Sequence, residues 1–193
     1  MSCVAIIPAR GGSKRLPRKN IREFHGKPVI AYAIATAKAS VLFDDVFVST
    51  EDEEIAGVAL KFGASLLLRN PAMAEDSVGT QEVMADALQG LDRAIKLEPW
   101  AFKYTHVDYA CCIYPVCPML TAKDLYIGWS KLLEHGVPYI FVRGYYYLGR
   151  AANFRDRVPL TEWLSLYFPV ERYVDVNTEA DWLRMEELYT AVK

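Results

Sequence analysis

Apolar residues follow two patterns along this chain. Short runs rich in apolar and β-branched residues, typical of strands buried on both faces, occupy residues 4–8, 45–50, 65–68, 107–114, 139–142 and 145–148. Between several of these runs, apolar residues recur every three or four positions, as on one face of a helix. Because strands alternate with helices, we expect an α/β fold with a mostly parallel sheet and helices on both faces. In such folds, ligands bind beyond the carboxyl ends of the strands.

Signals at the helix ends refine this prediction. The predicted helices cover residues 27–40, 51–62, 81–96, 122–136 and the segment after residue 178. Thr50, Thr121 and Thr178 are each followed three residues later by an acidic residue, which is the pattern of a capping box. A short strand is predicted over residues 173–176. Residues 150–168 show no readable period, so no element is predicted there.

The loop after the first predicted strand has an unusual composition. Gly11, Gly12 and Ser13 follow the strand almost at once, and five cations crowd into ten positions: Arg10, Lys14, Arg15, Arg18 and Lys19. Glycine turns can present backbone N–H groups, and clustered Lys and Arg add positive potential, so the loop suits a polyphosphate. The spacing fits neither the dinucleotide fingerprint nor the P-loop. A solvated, charged surface loop is the alternative interpretation.

Size and composition set further limits. A chain of 193 residues with net charge −2 is expected to form one domain. The near-neutral balance argues against nucleic-acid binding, and no run approaches the roughly 20 apolar residues of a membrane span. No secretory signal is recognised at the start. The four cysteines lack the spacing of a zinc site, so a reducing, cytoplasmic location is expected.

Several segments together resemble a known family. Residues 6–14 and 17–20 are similar to the signature loop of the sialic-acid-type cytidylyltransferases, which activate nine-carbon acidic sugars as CMP conjugates. Further resemblance lies in residues 26–28, 48–56, 109–115 and 178–182. The resemblance covers nearly all of the first 135 residues and about the last 20. It implies a three-layer, nucleotide-diphospho-sugar transferase-like (Rossmann-like) fold, with residues 1–193 forming a single nucleotide-binding domain.

The resemblance implies roles for residues of the opening loop. In the family this loop holds the CTP phosphates, and the matching residues here are Ala9, Arg10, Gly11, Gly12, Ser13, Lys19 and Asn20. Arg10 and Lys19 are expected to act in catalysis, because they would neutralise the β- and γ-phosphates of CTP.

Five more residues match family positions farther along the chain. Arg69 corresponds to a residue that contacts the cytosine, and Asp76 and Thr80 correspond to a loop near the nucleotide. Asp175 and Asn177 match the aspartate pair that holds the catalytic Mg2+. Each has a simpler interpretation: Arg69 as a surface ion-pair partner, Asp175 as a strand end, and Asn177 as a turn residue.

Two departures from the family pattern are visible. Asn177 replaces the second aspartate, so a neutral amide oxygen stands where the family has a negative charge. The chain also runs almost directly from Phe141 into Tyr145, whereas the family has an excursion there that binds the sugar and helps to build a dimer. The sugar-binding and dimerisation excursion near residues 142–150 is therefore expected to be truncated. A homodimer remains an open expectation.

The resemblance implies a CTP-dependent enzyme that joins CMP to a sialic- or pseudaminic-type nonulosonic acid and releases pyrophosphate. Its expected partners are CTP, an acidic nine-carbon sugar and Mg2+, with no nucleic acid and no membrane. Two alternatives stay open. The chain could bind a nucleotide or a partner without catalysis, or it could activate a smaller or different sugar acid.

Overall fold

A seven-stranded sheet organises the molecule. In the computed structural model, which describes residues 1–161, 163–166 and 172–192, the strands of this sheet are β1 (Cys3–Pro8), β4 (Asp45–Thr50), β5 (Ser65–Leu68), β6 (Tyr109–Ile113), β7 (Tyr139–Val142), β8 (Tyr146–Arg150) and β9 (Trp163–Leu166). Their order is β5-β4-β1-β6-β8-β7-β9. Neighbours are parallel except at β8, which is antiparallel to both β6 and β7. A separate hairpin pairs β2 (Glu23–Phe24) with β3 (Lys27–Pro28).

Helices cover both faces of the sheet. The helices are α1 (Ile30–Ala39), α2 (Glu53–Lys61), α3 (Thr80–Leu97), α4 (Ala122–His135), α5 (Ala151–Arg155) and α6 (Glu179–Ala191). Helices α1, α2 and α4 bury apolar residues in the core on one face, whereas α3 and α5 do so on the other. The three-layer α/β fold with a mostly parallel sheet is therefore confirmed.

A third apolar cluster attaches the last helix to the β2–β3 hairpin. The indole of Trp182 on α6 lies edge-on to Phe24, with ring centroids 5.7 Å apart. Tyr189, two turns later, contacts both Phe24 and Tyr32 at ring-centroid distances of 5.0 and 5.6 Å. Such edge-to-face pairs add to the stabilisation from burial. The end of the chain is thereby fixed beside the segment that follows the cationic loop.

Most predicted helix starts are confirmed, and two differ from the prediction. Thr121 and Thr178 each form the predicted capping box with the acidic residue three positions later. Thr50 instead ends β4, and Asp52 caps α2 by accepting the Ile55 N–H at 3.0 Å. Aspartate is as good a cap as threonine, and Asp52 lies two residues after the end of the strand. Helix α1 also begins later than predicted, because residues 27–28 pair in β3.

The prediction of a strand over residues 173–176 is also wrong. These residues pair with no strand among the described parts of the chain, although Val176 O accepts a hydrogen bond from Lys19 Nζ at 2.7 Å. A side-chain ammonium thus replaces a neighbouring strand as the partner of that carbonyl. Residues 150–168, which gave no prediction, contain α5 and the edge strand β9.

A tight hairpin stands where the family excursion was expected to be missing. Strands β7 and β8 are joined through Arg143, Gly144 and Tyr145, and the Tyr145 N–H donates to Val142 O at 2.9 Å. Gly144 has φ of +75°, which favours glycine, and a Cβ there would meet the Tyr173 ring at 1.5 Å. The connection is therefore short and closely packed.

The four cysteines are buried and free. Burial raises the pKa of Cys3 and of Cys112 to about 12, so both thiols stay protonated near neutral pH. They fill the core as small apolar groups. Among the described residues, none of the helices combines the length and apolar character needed to cross a bilayer.

Candidate active site

A cleft with two adjoining cavities lies at the carboxyl ends of the central strands, where the fold predicts a ligand. Lys19, Asn20 and Tyr114 line both cavities. The first cavity, of about 220 Å³, is also lined by Arg10, Ser13, Arg69 and Thr80. The second, of about 450 Å³, is also lined by Phe141, Arg143, Tyr173 and Asp175. Most of the predicted site residues therefore border one continuous cleft.

Arg10, which lines the first cavity, shares a carboxylate with Lys14. The Arg10 guanidinium lies 2.6 Å from one Asp76 oxygen, and Lys14 Nζ lies 2.7 Å from the other. Arg10 also donates to Ala74 O at 3.1 Å. The two cations lower the pKa of Asp76, because both favour its ionised form. In the protein alone, Asp76 therefore neutralises two of the cations of the opening loop.

Arg69 is buried, so its interpretation as a surface ion-pair partner is wrong. Its side chain is 3% exposed and lies 3.9 Å from Glu51 Oε2. Its Nη2 donates to Ser49 O at 2.8 Å. Desolvation lowers the pKa of this guanidinium, and the Glu51 charge opposes that effect. The glycine turn is close by, since the Gly11 N–H donates to Glu51 Oε1 at 2.7 Å.

Arg18 attaches the cationic loop to helix α2. It has left-handed backbone angles, with φ of +57°. Its guanidinium donates to both oxygens of Asp52, at 2.6 and 3.0 Å, and also to Glu54. A Cβ on Gly11 would lie 2.3 Å from Asp52 Oδ2, so only glycine fits beside this ion pair. The hydrogen bonds from Arg18, together with its charge, lower the pKa of Asp52.

The remaining residues of the turn are held by backbone contacts. The Ala9 N–H donates to Ser49 O at 2.9 Å, and the Ser13 N–H donates to Gly11 O at 3.0 Å. A Cβ on Gly12 would have no neighbour within 4 Å, so this glycine faces open space. The N–H groups of Gly11 and Ser13 therefore already have hydrogen-bond acceptors within the protein.

Lys19 and Asn20 lie where the two cavities meet. Lys19 Nζ donates to Val176 O at 2.7 Å, and burial lowers its pKa while the nearby Asp175 partly restores it. Asn20 is 5% exposed, and its Nδ2 donates to Arg10 O at 2.9 Å. Lys19 therefore offers a desolvated positive charge in the cleft, whereas Asn20 closes the loop on itself.

The two residues matched to the metal position differ in their surroundings. Asp175 is exposed and borders the second cavity near Lys19. The Asn177 side-chain oxygen accepts from Arg15 at 2.9 Å, and the Asn177 N–H donates to Asp181 at 3.0 Å. Asp175 fits a divalent cation because it is a carboxylate open to the cleft, whereas the Asn177 oxygen already has a cationic partner.

A cation would need oxygens from the nucleotide as well. In the described part of the chain, no group of three or more His, Cys, Asp or Glu side chains is placed to hold a metal. Mg2+ commonly takes one or two carboxylates together with substrate phosphates. Thr80 borders the first cavity, with Oγ1 3.4 Å from the Tyr114 hydroxyl.

Sequence reasoning assigned no role to Glu51, Arg143 or Tyr173. A signal for Glu51 was present, since acidic residues 51–54 follow β4, whose carboxyl end is beside the cationic loop in a parallel sheet. No signal pointed to Arg143 or Tyr173. Their places at the cleft depend on the β7–β8 turn and on a segment about thirty residues later.

Solved structures define the class of fold. A CMP:2-keto-3-deoxy-manno-octonic acid synthetase, solved in complex with CTP, matches all of this chain over all of its own length, with a TM-score of 0.70 and 16% identity. Rv0371C of Mycobacterium tuberculosis, solved in complex with manganese, has a TM-score of 0.62 and 11% identity over 97% of this chain and 99% of its own. The fold is that of the nucleotidyltransferases.

The sequence is similar to one family within that class. A family model described as cytidylyltransferase matches residues 4–98, which are about half of the chain. A pseudaminic acid cytidylyltransferase of Campylobacter jejuni is 39% identical over 142 residues, which are 73% of this chain and 57% of the relative. The resemblance predicted from the sequence is confirmed. The chain spans little more than half the length of that relative.

Proposed function

We propose that this chain is a CTP-dependent cytidylyltransferase for a nonulosonic acid of the pseudaminic or sialic type. The observation that carries the proposal is the pair of adjoining cavities that meet at Lys19, Asn20 and Tyr114. One cavity offers Arg10 and Arg69 to a nucleotide. The other, bordered by Arg143 and Asp175, offers room and a positive charge to an acidic sugar. The similarity to the pseudaminic acid cytidylyltransferase supports the same assignment.

In the proposed reaction, a sugar hydroxyl attacks the α-phosphorus of CTP. An O–P bond forms to the sugar, the bond to the β-phosphate oxygen breaks, and pyrophosphate leaves while the hydroxyl proton passes to solvent. The protein contributes positioning and charge stabilisation. Lys19 and Arg10 would balance the charge that develops on the leaving pyrophosphate. Arg69, buried under the first cavity, would hold the base.

Asp175 would hold a divalent cation, which we propose to be Mg2+. Such a cation neutralises charge between phosphate oxygens when it is bound. The manganese complex of a protein with the same fold supports a divalent metal in this class of site. Asn177 would contribute little to the metal while its side-chain oxygen accepts from Arg15.

The direct test combines turnover with binding. Purified protein is incubated with CTP, Mg2+ and a panel of acidic sugars, and pyrophosphate release is measured. We expect release with at least one nonulosonic acid, and we expect Arg10→Ala to abolish CTP binding in calorimetry. A folded wild-type protein that binds no CTP and releases no pyrophosphate across the panel overturns the proposal.

A second candidate is a family member that binds nucleotide without turnover. The contact between Arg15 and Asn177 favours it, because a neutral and already bonded amide stands at the second metal position. Asn177→Asp distinguishes the two. If the wild type binds CTP but is inactive and Asn177→Asp stays inactive, the binding-only function holds. If Asn177→Asp raises turnover strongly, metal binding is the weak step of a working enzyme.

A further inference from the structure

The segment that carries Asp175 is an irregular strap that lines one side of the second cavity. We define the strap as residues 172–178, which lie between the described part of β9 and helix α6. Lys19 Nζ holds Val176 O at 2.7 Å near its far end. Arg15 holds the Asn177 side chain at 2.9 Å, one residue farther along. These contacts fix the end of the strap that enters α6.

Arg172 fixes the other end of the strap. Its guanidinium donates to Met119 O at 2.9 Å, to Asp124 Oδ1 at 3.3 Å, and also to Asp124 Oδ2. The side chain of Asp124 is 4% exposed and that of Arg172 is 24% exposed. The carboxylate raises the pKa of Arg172, since it favours the charged guanidinium. The pair is therefore a desolvated, multiply bonded contact rather than a surface ion pair.

Asp124, the partner of Arg172, is itself held by contacts with α4 and β8. Asp124 also completes the capping box that starts α4, because it accepts from the Thr121 N–H and hydroxyl. The buried Tyr146 hydroxyl donates to Asp124 O at 2.8 Å, which ties the same turn to β8. A strap attached at this point takes its position from the sheet and from α4.

We propose that Arg172 is a positioning residue for the proposed transfer. By fixing the first residue of the strap, it sets where Asp175 and Tyr173 border the cavity, and so sets how well Asp175 meets a nucleotide-bound cation. Partners that orient a metal-holding carboxylate commonly change metal affinity by about 10- to 100-fold. Arginine suits the position, since the two terminal nitrogens of its planar fork both donate to Asp124 while one of them also donates to Met119 O. The inference rests on the proposed function of the site.

The test compares CTP affinity with and without Mg2+ in wild type and Arg172→Gln. With Mg2+ removed by a chelator, CTP contacts the opening loop, so we expect both proteins to bind within about twofold of each other. With saturating Mg2+, we expect the metal-dependent gain in affinity to fall by about tenfold in the variant. Arg172→Lys keeps the charge but loses the fork, and we expect a smaller change in the same direction.

A second measurement is independent of nucleotide and metal. Chymotrypsin cleavage after Tyr173, followed by mass spectrometry, reports whether the strap opens. Tyr173 packs on the backbone of Gly144 and against Tyr145, with ring centroids 6.0 Å apart, so cleavage in the wild type should be slow. We expect faster cleavage at this bond in Arg172→Gln and in Arg172→Lys.

A matched control removes a similar arginine far from the cleft. Arg155 donates to both oxygens of Asp92 at 2.8 Å and to Val107 O at 3.4 Å, joining α5 to α3. Arg155→Gln should lower thermal stability to a similar extent and leave both the Mg2+ dependence and the cleavage at Tyr173 unchanged. If Arg155→Gln changes the Mg2+ dependence and the cleavage as much as Arg172→Gln does, the effect comes from a general loss of stability and the inference fails.

The outcomes also separate the inference from the proposed function. A wild-type protein that binds CTP, combined with Arg172 variants of unchanged metal dependence and unchanged cleavage, overturns the inference alone. A wild-type protein that binds no CTP overturns the proposed function, while the cleavage rates still decide whether Arg172 holds the strap. If Arg172→Gln does not fold, Arg172→Lys decides both measurements.

Discussion

At the scale of single residues, protein carboxylates already contact the groups assigned to CTP. Asp76 bridges Arg10 and Lys14, and Glu51 accepts the Gly11 N–H. A triphosphate carries more negative charge than a carboxylate and would compete for the same donors. Binding of CTP therefore replaces protein carboxylates with phosphates as partners of these groups. Because the carboxylate contacts are lost, each cation contributes less to the affinity for CTP.

Replacing Asp76 tests this exchange. Asp76→Asn removes the competing charge, so we expect CTP to bind several-fold more tightly, with a larger effect at low salt because the site is exposed. Calorimetric titration at two ionic strengths measures it. Glu134→Gln, which removes an exposed ion pair with Lys131 on α4, should leave the affinity unchanged. Weaker binding by Asp76→Asn would instead indicate that the carboxylate contacts the nucleotide or its cation.

Lys19 differs from the other cations because it is desolvated. Burial lowers its pKa from the ordinary value of 10.5, so it loses its charge at a lower pH than an exposed lysine does. Loss of this charge removes an attraction for phosphate, and CTP affinity should therefore fall as the pH rises through the lowered pKa. Lys19→Arg should show a flat profile, since arginine stays charged. A wild-type affinity that remains constant until exposed lysines titrate contradicts the assignment of Lys19.

At the scale of elements, the opening loop and helix α2 form one connected unit. Asp52 caps the helix through the Ile55 N–H and also binds Arg18 of the loop. Gly11 lies so close to this carboxylate that any side chain would displace it. Because Gly11 has no Cβ, the glycine turn can pack directly against the Asp52 carboxylate, which both caps α2 and pairs with Arg18.

The two neighbouring glycines provide a matched comparison. Gly11→Ala should displace Asp52, weaken the cap of α2, and lower the free energy of unfolding by about 1–2 kcal/mol. Gly12→Ala should change it by less than about 0.5 kcal/mol, because its Cβ would meet open space. Urea denaturation of the three proteins checks both values. Equal destabilisation by the two alanines would contradict the role of the Asp52 contact.

At the scale of the whole molecule, we propose that the chain is a single domain. The sheet is continuous from β5 to β9, and the cluster of α6 packs on residues that follow the opening loop. Trp182 lies in that cluster, whereas Trp129 packs against the main core. The two ends of the chain therefore depend on one another for burial.

This arrangement predicts a single cooperative unfolding transition. Tryptophan fluorescence and far-ultraviolet circular dichroism should give coincident curves. CTP with Mg2+ at about 100 times its Kd should add about 2.7 kcal/mol to stability and raise Tm in both probes. Two separate transitions, with fluorescence changing first, would show that α6 and its cluster unfold independently of the sheet.

The order of elements and the place of the opening loop could be predicted from the sequence because they depend on local patterns. Apolar periodicity and the caps at Thr121 and Thr178 act within a few residues, so they are visible in one dimension. The cap of α2 was misassigned to Thr50, since the end of β4 is set by pairing with β1 and β5. Local signals predicted most of the elements, although α5 and β9 gave no such signal, and packing decided where some of the others begin.

The sequence by itself determined that cations and glycines gather after the first strand and that the chain is similar to the cytidylyltransferases. Only the tertiary structure decided which partner each cation has: Asp76 for Arg10, Val176 O for Lys19, and Asp124 for Arg172. It also decided that residues 173–176 form a strap rather than a strand. These outcomes depend on groups tens of residues apart, whose competition for charge and hydrogen bonds is resolved only when the sheet brings them together.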